Sequence, residues 1–249
     1  MKLFAEMNRV QLRAAAPESL VVLPIGATEQ HGPHLPTGTD YFTVESLARE
    51  AATQLPPDIP VIVTPALPFG SSHHHFIFGA TLSLSTETYF KVLCELLESL
   101  VTDGFSRIFL VNGHGGNHEL AQLAARDICL RHPVHVAAAS YWTAAWNDLI
   151  AIDAHRGRRL PGHAGDFETS IMMSLRPDLV PAERPHREGA FESDPAGFHP
   201  PCRIERHGSW HEIDGYTDSP DRATAERGAS LRAAILAGLV RAFAGFYRS

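Results

Sequence analysis

The chain has 249 residues, 44% hydrophobic and 20% charged, a length and balance that fit one globular domain over residues 1–249 and exclude a collagen-like or disordered chain. Lys and Arg number 21 against 28 Asp and Glu, so the net charge of −7 leaves no basic footprint for nucleic acid or an anionic membrane surface. The three cysteines, Cys94, Cys129 and Cys202, form no CxxC pair and exclude a disulfide framework, whereas fifteen histidines suggest metal or proton chemistry.

The opening MKLFAEMNRV lacks both a long apolar run and a cleavage pattern, and no stretch reaches 18 uninterrupted apolar residues. A cytoplasmic chain with no membrane span is the expectation. Leu20–Ile25 is a short apolar run ended by Gly26, the pattern of a strand buried on both faces. Residues 39–54 put Phe42, Leu47 and Ala51 on a helical stripe that Pro56 and Pro57 stop. IPVIVTPALPFG (59–70) reads as a second strand, followed by serines and the run His73, His74 and His75. A helix is expected over Thr86–Val101, then a strand over Arg107–Asn112 that runs into a glycine loop and a helix over Glu119–Cys129. PVHVAAASYW (133–142) is a further strand, 144–160 reads as mostly helical, and 163–175 enters another helix. Residues 181–222 are rich in proline, glycine and charge, which suits a functional loop or a peripheral excursion, with Trp210 and His211 the residues to watch. An alanine-rich helix over Asp221–Phe243 closes the chain. This alternation predicts an α/β fold with a mostly parallel sheet covered on both sides and ligands at the carboxyl ends of its strands.

Three polar motifs fall at those ends. Glu29-Gln30-His31-Gly32-Pro33-His34, with Asp40 beyond it, offers two carboxylates and an imidazole within twelve positions. NGHGGNH (112–118) sets His114 among glycines, and Gly115 and Gly116 let a substrate approach backbone amides. A phosphate loop is the rival reading, but neither GxxxxGK[ST] nor GxGxxG is met. His163-Ala164-Gly165-Asp166-Phe167-Glu168 offers a proton carrier and a further carboxylate. Glu29, His31, Asp40, His114 and Glu168 are therefore the candidate metal ligands, with Asp40 the candidate bridge between two ions. His163 is the candidate proton carrier, paired in that role with Glu168. Asp166 suits a helix N-terminus as well as a metal. Of the three consecutive histidines, His75 is placed near the pocket and the others are read as structural; Trp142 and Trp210 are candidate stacking surfaces for substrate.

The segments LPIGATEQHGPHLPTGTD, LVNGHGGN and GHAGDFETS, in that order, resemble the three signature segments of the creatininase (creatinine amidohydrolase) family. The resemblance implies a three-layer α/β/α fold, two divalent ions of zinc or manganese per subunit, a small-molecule substrate, and a homo-oligomer, often a hexamer built as a trimer of dimers. It places Glu29, His31, Asp40 and His114 on metal-binding positions and His163 on the position of a catalytic histidine. Creatininase itself carries an aromatic residue and a ligand glutamate after the NGH histidine, where this chain has Gly115 and Gly116, and Glu168 is the proposed replacement. FGAT (78–81) also departs from a phenylalanine-proline-glycine-threonine turn. The wider family includes enzymes that deformylate pyrimidine intermediates, act in peptide-cofactor maturation or hydrolyse cyclic keto-inositols. Cleavage of an amide C–N bond by metal-activated water is the expected reaction, with hydrolysis of a cyclic ketone as the alternative. A metal-dependent sugar isomerase and a noncatalytic metal-binding oligomer stand behind these.

Overall fold

The computed structural model describes residues 1–156, 160–187 and 207–249. Its sheet has five parallel strands in the order β1-β3-β2-β4-β5, comprising β1 (Lys2–Leu3), β2 (Leu20–Ile25), β3 (Val61–Val63), β4 (Arg107–Asn112) and β5 (His135–Ser140). The helices among the described residues are α1 (Arg9–Ala15), α2 (Thr39–Thr53), α3 (Thr86–Thr102), α4 (His118–Arg131), α5 (Tyr141–Ala144), α6 (Trp146–Ala151), α7 (Asp166–Leu175), α8 (Ser209–Glu212) and α9 (Ala225–Arg248).

Strand periodicity divides the core in two. Leu20, Val22, Phe109 and Val111 face one side, while Val21, Leu23, Ile108 and Leu110 face the other. The first set packs with α2, α5, α6, α7 and α9, through residues such as Leu47, Ile171, Ile235 and Phe243; the second packs with α1, α3 and α4, through Leu12, Leu93, Leu97 and Ile128. This is the expected three-layer α/β/α arrangement. α9 is long and apolar enough, by length and composition, to cross a membrane, but here its stripe of Leu231, Ile235, Leu239 and Phe243 covers one face of the sheet.

Several boundaries differ from the sequence reading. The expected strand at 59–70 shrinks to Val61–Val63, because Pro65 and Pro68 carry no N–H for a ladder. The strand expected to 142 ends at Ser140, and Tyr141 and Trp142 begin a helix instead. The helix expected over 144–160 is the six-residue α6. The last helix starts later, at Ala225, where the Thr224 hydroxyl accepts from Arg227 N at 3.1 Å. β1 and α1 have no counterpart in the periodicity, although Asn8 and Gln11 form a reciprocal capping box. Of the expected 181–222 loop, residues 188–206, Cys202 among them, lie outside the described residues.

Candidate metal centre

β2 and β4 are paired in register from Leu20↔Arg107 to Ile25↔Asn112, so their carboxyl ends stop side by side and Gly113 N donates to Ile25 O at 2.8 Å. The strand order diverges here, with β3 on one side of β2 and β4 on the other, which opens a crevice between the following loops. Asp40, in the first turn of α2, enters this crevice because position 113 is glycine: a Cβ there would meet Val44 Cβ at 2.8 Å and Asp40 O at 2.9 Å. Asn112 braces the loop, accepting from His114 N at 3.0 Å and donating to His114 O at 2.6 Å. Asn117 ties three loops together by donating to Gly26 O at 2.9 Å and accepting from Ser71 N at 3.0 Å.

The three motifs converge on Asp40. Its Oδ1 lies 3.1 Å from His31 Nε2, and its Oδ2 lies 3.0 Å from His114 Nδ1. Glu168 Oε2 approaches His31 Nε2 at 3.6 Å, and Glu29 Oε1 approaches His114 Nδ1 at 3.1 Å. All five side chains are buried. Glu168 is aimed by a tight turn in which Ala164, at φ 50° in the left-handed region, donates its N–H to Glu168 Oε2 at 2.6 Å. Asp166, next to it, faces away to Arg227 Nε at 2.8 Å and serves the start of α7.

The donor set fits a cation. Both carboxylate oxygens of Glu29 and Oδ2 of Asp40 are buried without a hydrogen-bond donor, an arrangement that is costly unless a positive charge faces them. His114 Nε2 lies 3.2 Å from the Ser71 carbonyl, which only accepts, so the ring hydrogen belongs on Nε2 and a neutral His114 turns a lone pair toward two carboxylates. Burial opposes charge on His31 and His114, yet Asp40 on His31, with Glu168 and Glu29 adding, and Glu29 and Asp40 on His114 outweigh it and raise both imidazoles. The same imidazoles hold the Asp40 carboxyl well below the usual range despite its burial, whereas burial, with Asp40 adding, pushes Glu168 up. Protons thus fill the place a divalent ion suits. Among the described residues, three groups bring donor atoms within 4.8 Å of one another: His31, Asp40 and Glu168; Glu29, His31 and His163; and Glu29, His74 and His114.

A model of the creatininase family, described as creatinine amidohydrolase, matches residues 5–243. The chain belongs to the creatininase family. It is 36% identical over 172 residues to a mycofactocin precursor peptide peptidase of Mycolicibacterium smegmatis, 68% of this chain and 62% of that protein. It is 26% identical over 210 residues to a 3-dehydro-scyllo-inosose hydrolase of Thermotoga maritima, 83% of this chain and 65% of that protein. The chain thus matches less than two thirds of the length of either relative. Identity to the creatinine amidohydrolase of Pseudomonas putida is 29% over 206 residues, 76% of this chain and 75% of that one. The fold superposes on a manganese creatininase structure with a TM-score of 0.79 at 24% identity, covering 99% of each chain.

Around the creatininase-family cluster, the other expected site residues divide. Gly115 borders open space, but a Cβ on Gly116 would lie 2.3 Å from Ser71 O and 2.5 Å from His114 Nε2, so Gly116 is packed against the 70s loop. Trp210 stands edge-on to His75, with ring centroids 4.5 Å apart, and 5.3 Å from His163. Trp142 belongs instead to the hydrophobic core cluster with Tyr141 and Phe167, because residue 142 lies in α5 and not on a strand end; the structure removes it from the substrate surface. His211 is exposed on α8. Glu168 sits with His31 and Asp40, in the half opposite Glu29 and His114.

Gln30 carries no chemistry in the sequence reading but orders two histidines. Its Oε1 accepts from Gly32 N at 2.9 Å, and its Nε2 donates to Gly215 O at 2.9 Å and His75 Nδ1 at 2.8 Å. His163 Nε2 then donates to the Gln30 carbonyl at 3.0 Å, which leaves His163 Nδ1 facing Glu29 Oε1 at 3.7 Å. Burial, with His31 and His75 adding, lowers His163 well below its ordinary value, and burial lowers His75 to about 3. Gln30, Asn112 and Asn117 all lie inside the recognised motifs, so a test for polar side chains flanking the ligands finds them. His74 is the other omission: one residue from His75, it joins the Glu29 and His114 group.

Proposed function

We propose that this chain is a metal-dependent hydrolase that cleaves an amide C–N bond, with Glu29, Asp40 and His114 holding one divalent ion and His31, Asp40 and Glu168 a second. The observation that carries this reading is Asp40, whose two oxygens each face a different histidine, each histidine having a second carboxylate of its own, Glu168 at His31 and Glu29 at His114. Ions bound there supply Lewis acidity to a carbonyl oxygen and lower the pKa of water. Zinc or manganese suits the nitrogen and oxygen donors, in keeping with related structures described as manganese creatininase and as a Zn-Zn creatininase variant.

His163 is neutral in its buried site and turns Nδ1 inward, so it accepts a proton at Nδ1 and returns it to the leaving nitrogen. Glu168 acts on the reaction through the ion it holds. His75 and Trp210 form the wall that substrate meets and exclude water from the histidines. Of the 113–116 amides, Gly113 N and His114 N are taken by Ile25 O and Asn112 Oδ1, which leaves the oxyanion contact to Gly115 and Gly116. Similarity to a peptide peptidase supports an amide substrate. Similarity over 83% of the chain to an inosose hydrolase supports a second reading, hydrolysis of a cyclic keto-inositol ring. The proposal extends to one domain over residues 1–249, a cytoplasmic location and a homo-oligomer of six copies, with membership of the creatininase family as support.

The deciding assay offers the protein a linear peptide, a formamide, creatinine and a keto-inositol, and follows released amine for the first two and the ring-opened product by mass spectrometry for the other two. Amine release that stops on chelation and returns with zinc or manganese is the expected result; turnover of the keto-inositol alone selects the second reading. His163→Asn is expected to lower kcat by about 10²–10⁴-fold with metal content retained, and loss of the ions instead would make His163 a ligand. Gln30→Met is expected to cost about 10–100-fold in activity and to shift the pH profile, since it removes the side-chain donor that holds His75 Nδ1 at 2.8 Å, while the main-chain carbonyl of residue 30 that accepts from His163 stays. An unchanged profile argues against that positioning role.

A further inference from the structure

The two halves of the centre are built alike from one histidine, one private carboxylate and one oxygen of Asp40, yet their surroundings differ. Beside His114, Gly116 has no side chain, and Ser71 O occupies the space that a Cβ there would need. Ser71 belongs to the loop that continues into the two-turn 3₁₀ helix His73–Phe78. His74 is on that helix, and a ring nitrogen of it lies within 4.8 Å of donor atoms of both Glu29 and His114. Its ring is parallel to that of His114, at 5° and 5.8 Å between centroids, and is 4.3 Å from His75 and 5.4 Å from Trp210. The close approach of the 70s loop that forbids a side chain at 116 therefore delivers an imidazole to the same ion. Asn117 fixes that approach through Ser71 N.

We propose that His74 is a ligand of the ion held by Glu29, Asp40 and His114, supplied from the 70s loop where Gly116 supplies none. The inference rests on the two-ion reading above. It makes the halves chemically unequal: the His114 half has two imidazoles and two carboxylates, the His31 half one imidazole and two carboxylates. An additional neutral nitrogen favours a borderline ion such as zinc or cobalt over manganese or magnesium, so zinc settles first in the His114 half. His74 is also the least buried of the three and lies on the solvent side of Glu29 and His114.

The test titrates the full-length wild type, His74→Ala and His74→Glu with Zn²⁺ against a chromophoric chelator, and records the visible spectrum of the Co²⁺-loaded proteins. The expected result is two ions in the wild type and, in His74→Ala, one ion bound at least about tenfold more weakly with the other unchanged. The cobalt spectrum then changes for one ion only, and His74→Glu recovers the stoichiometry. His74→Ala that binds both ions with wild-type affinity and an unaltered spectrum overturns the inference and leaves the two-ion reading standing. Wild type that binds fewer than two ions overturns both. A melting curve of each metal-free protein separates a lost ligand from a lost fold, and a His74→Ala protein that melts below wild type when metal-free, with His74→Glu failing to restore binding, also counts against the ligand role.

Discussion

Asp40→Asn is expected to abolish both ion sites at once and to lower kcat/KM by roughly a thousandfold or more. The reason is the position of the side chain: Oδ1 serves the His31 half and Oδ2 the His114 half, at 3.1 and 3.0 Å from the two imidazoles. Asparagine keeps one acceptor oxygen but turns an NH2 group on whichever half faces the other branch, and its charge is lost to both. If the ions contribute about 4 kcal/mol of transition-state stabilisation, their loss corresponds to about three decades of rate. His31→Ala and His114→Ala each remove a donor from one half only, so each is expected to lose one ion and keep the other. Elemental analysis of the three purified proteins reads this pattern directly. Two ions retained in Asp40→Asn would end the bridging assignment.

Gly228→Ala is expected to cause a large loss of stability, since a Cβ there makes the shortest approach to backbone of any described glycine. α9 crosses α7 at this glycine, and a Cβ would sit 1.8 Å from Ser170 O and 2.9 Å from Ser174 Cβ. Neither neighbour can yield cheaply, because Ser170 O is backbone inside a helix, so α7 and α9 must part along their length. Overpacking of this kind costs about 3 kcal/mol, which for a chain of this size lowers Tm by roughly 6–12 °C. The displaced helix carries Glu168 two residues from Ser170, so ion affinity in the His31 half falls as well. A thermal scan within 2 °C of wild type would show that the helices slide apart without strain.

The fold was legible in the sequence where burial and period coincide. Leu20–Ile25 is apolar throughout and Arg107–Asn112 is apolar from Ile108 to Val111; a glycine follows each, and both are central strands with the expected limits. The expectation failed where a local rule had no long-range partner to read: at Tyr141 and Trp142, β-forming residues that the chain places in a helix, and at Pro65 and Pro68, which cut a β-branched run short. The convergence of Glu29, His31, Asp40, His114, His163 and Glu168 was legible because all of them lie at strand or helix ends. Their division into halves was not, since it depends on which oxygen of Asp40 faces which ring. His74 escapes the sequence reading because neighbouring residues on a strand or loop usually point apart; on a two-turn 3₁₀ helix beside Ser71 it turns to the same centre as His75.

The parallel pairing of β2 with β4 has a consequence for how the protein comes into being. Its two strands are separated by a whole helix–strand–helix crossover, and the donors that meet at Asp40 extend from Glu29 to Glu168. At a synthesis rate of about 5–20 residues per second, Glu168 leaves the ribosome roughly 7–28 seconds after Glu29. Contacts of such high sequence separation close late in folding. For that interval the first acids and imidazoles of the centre stand in open solvent, able to bind an ion singly but not in their final set. The full donor set around Asp40 therefore exists only after Glu168 has emerged and the sheet has closed.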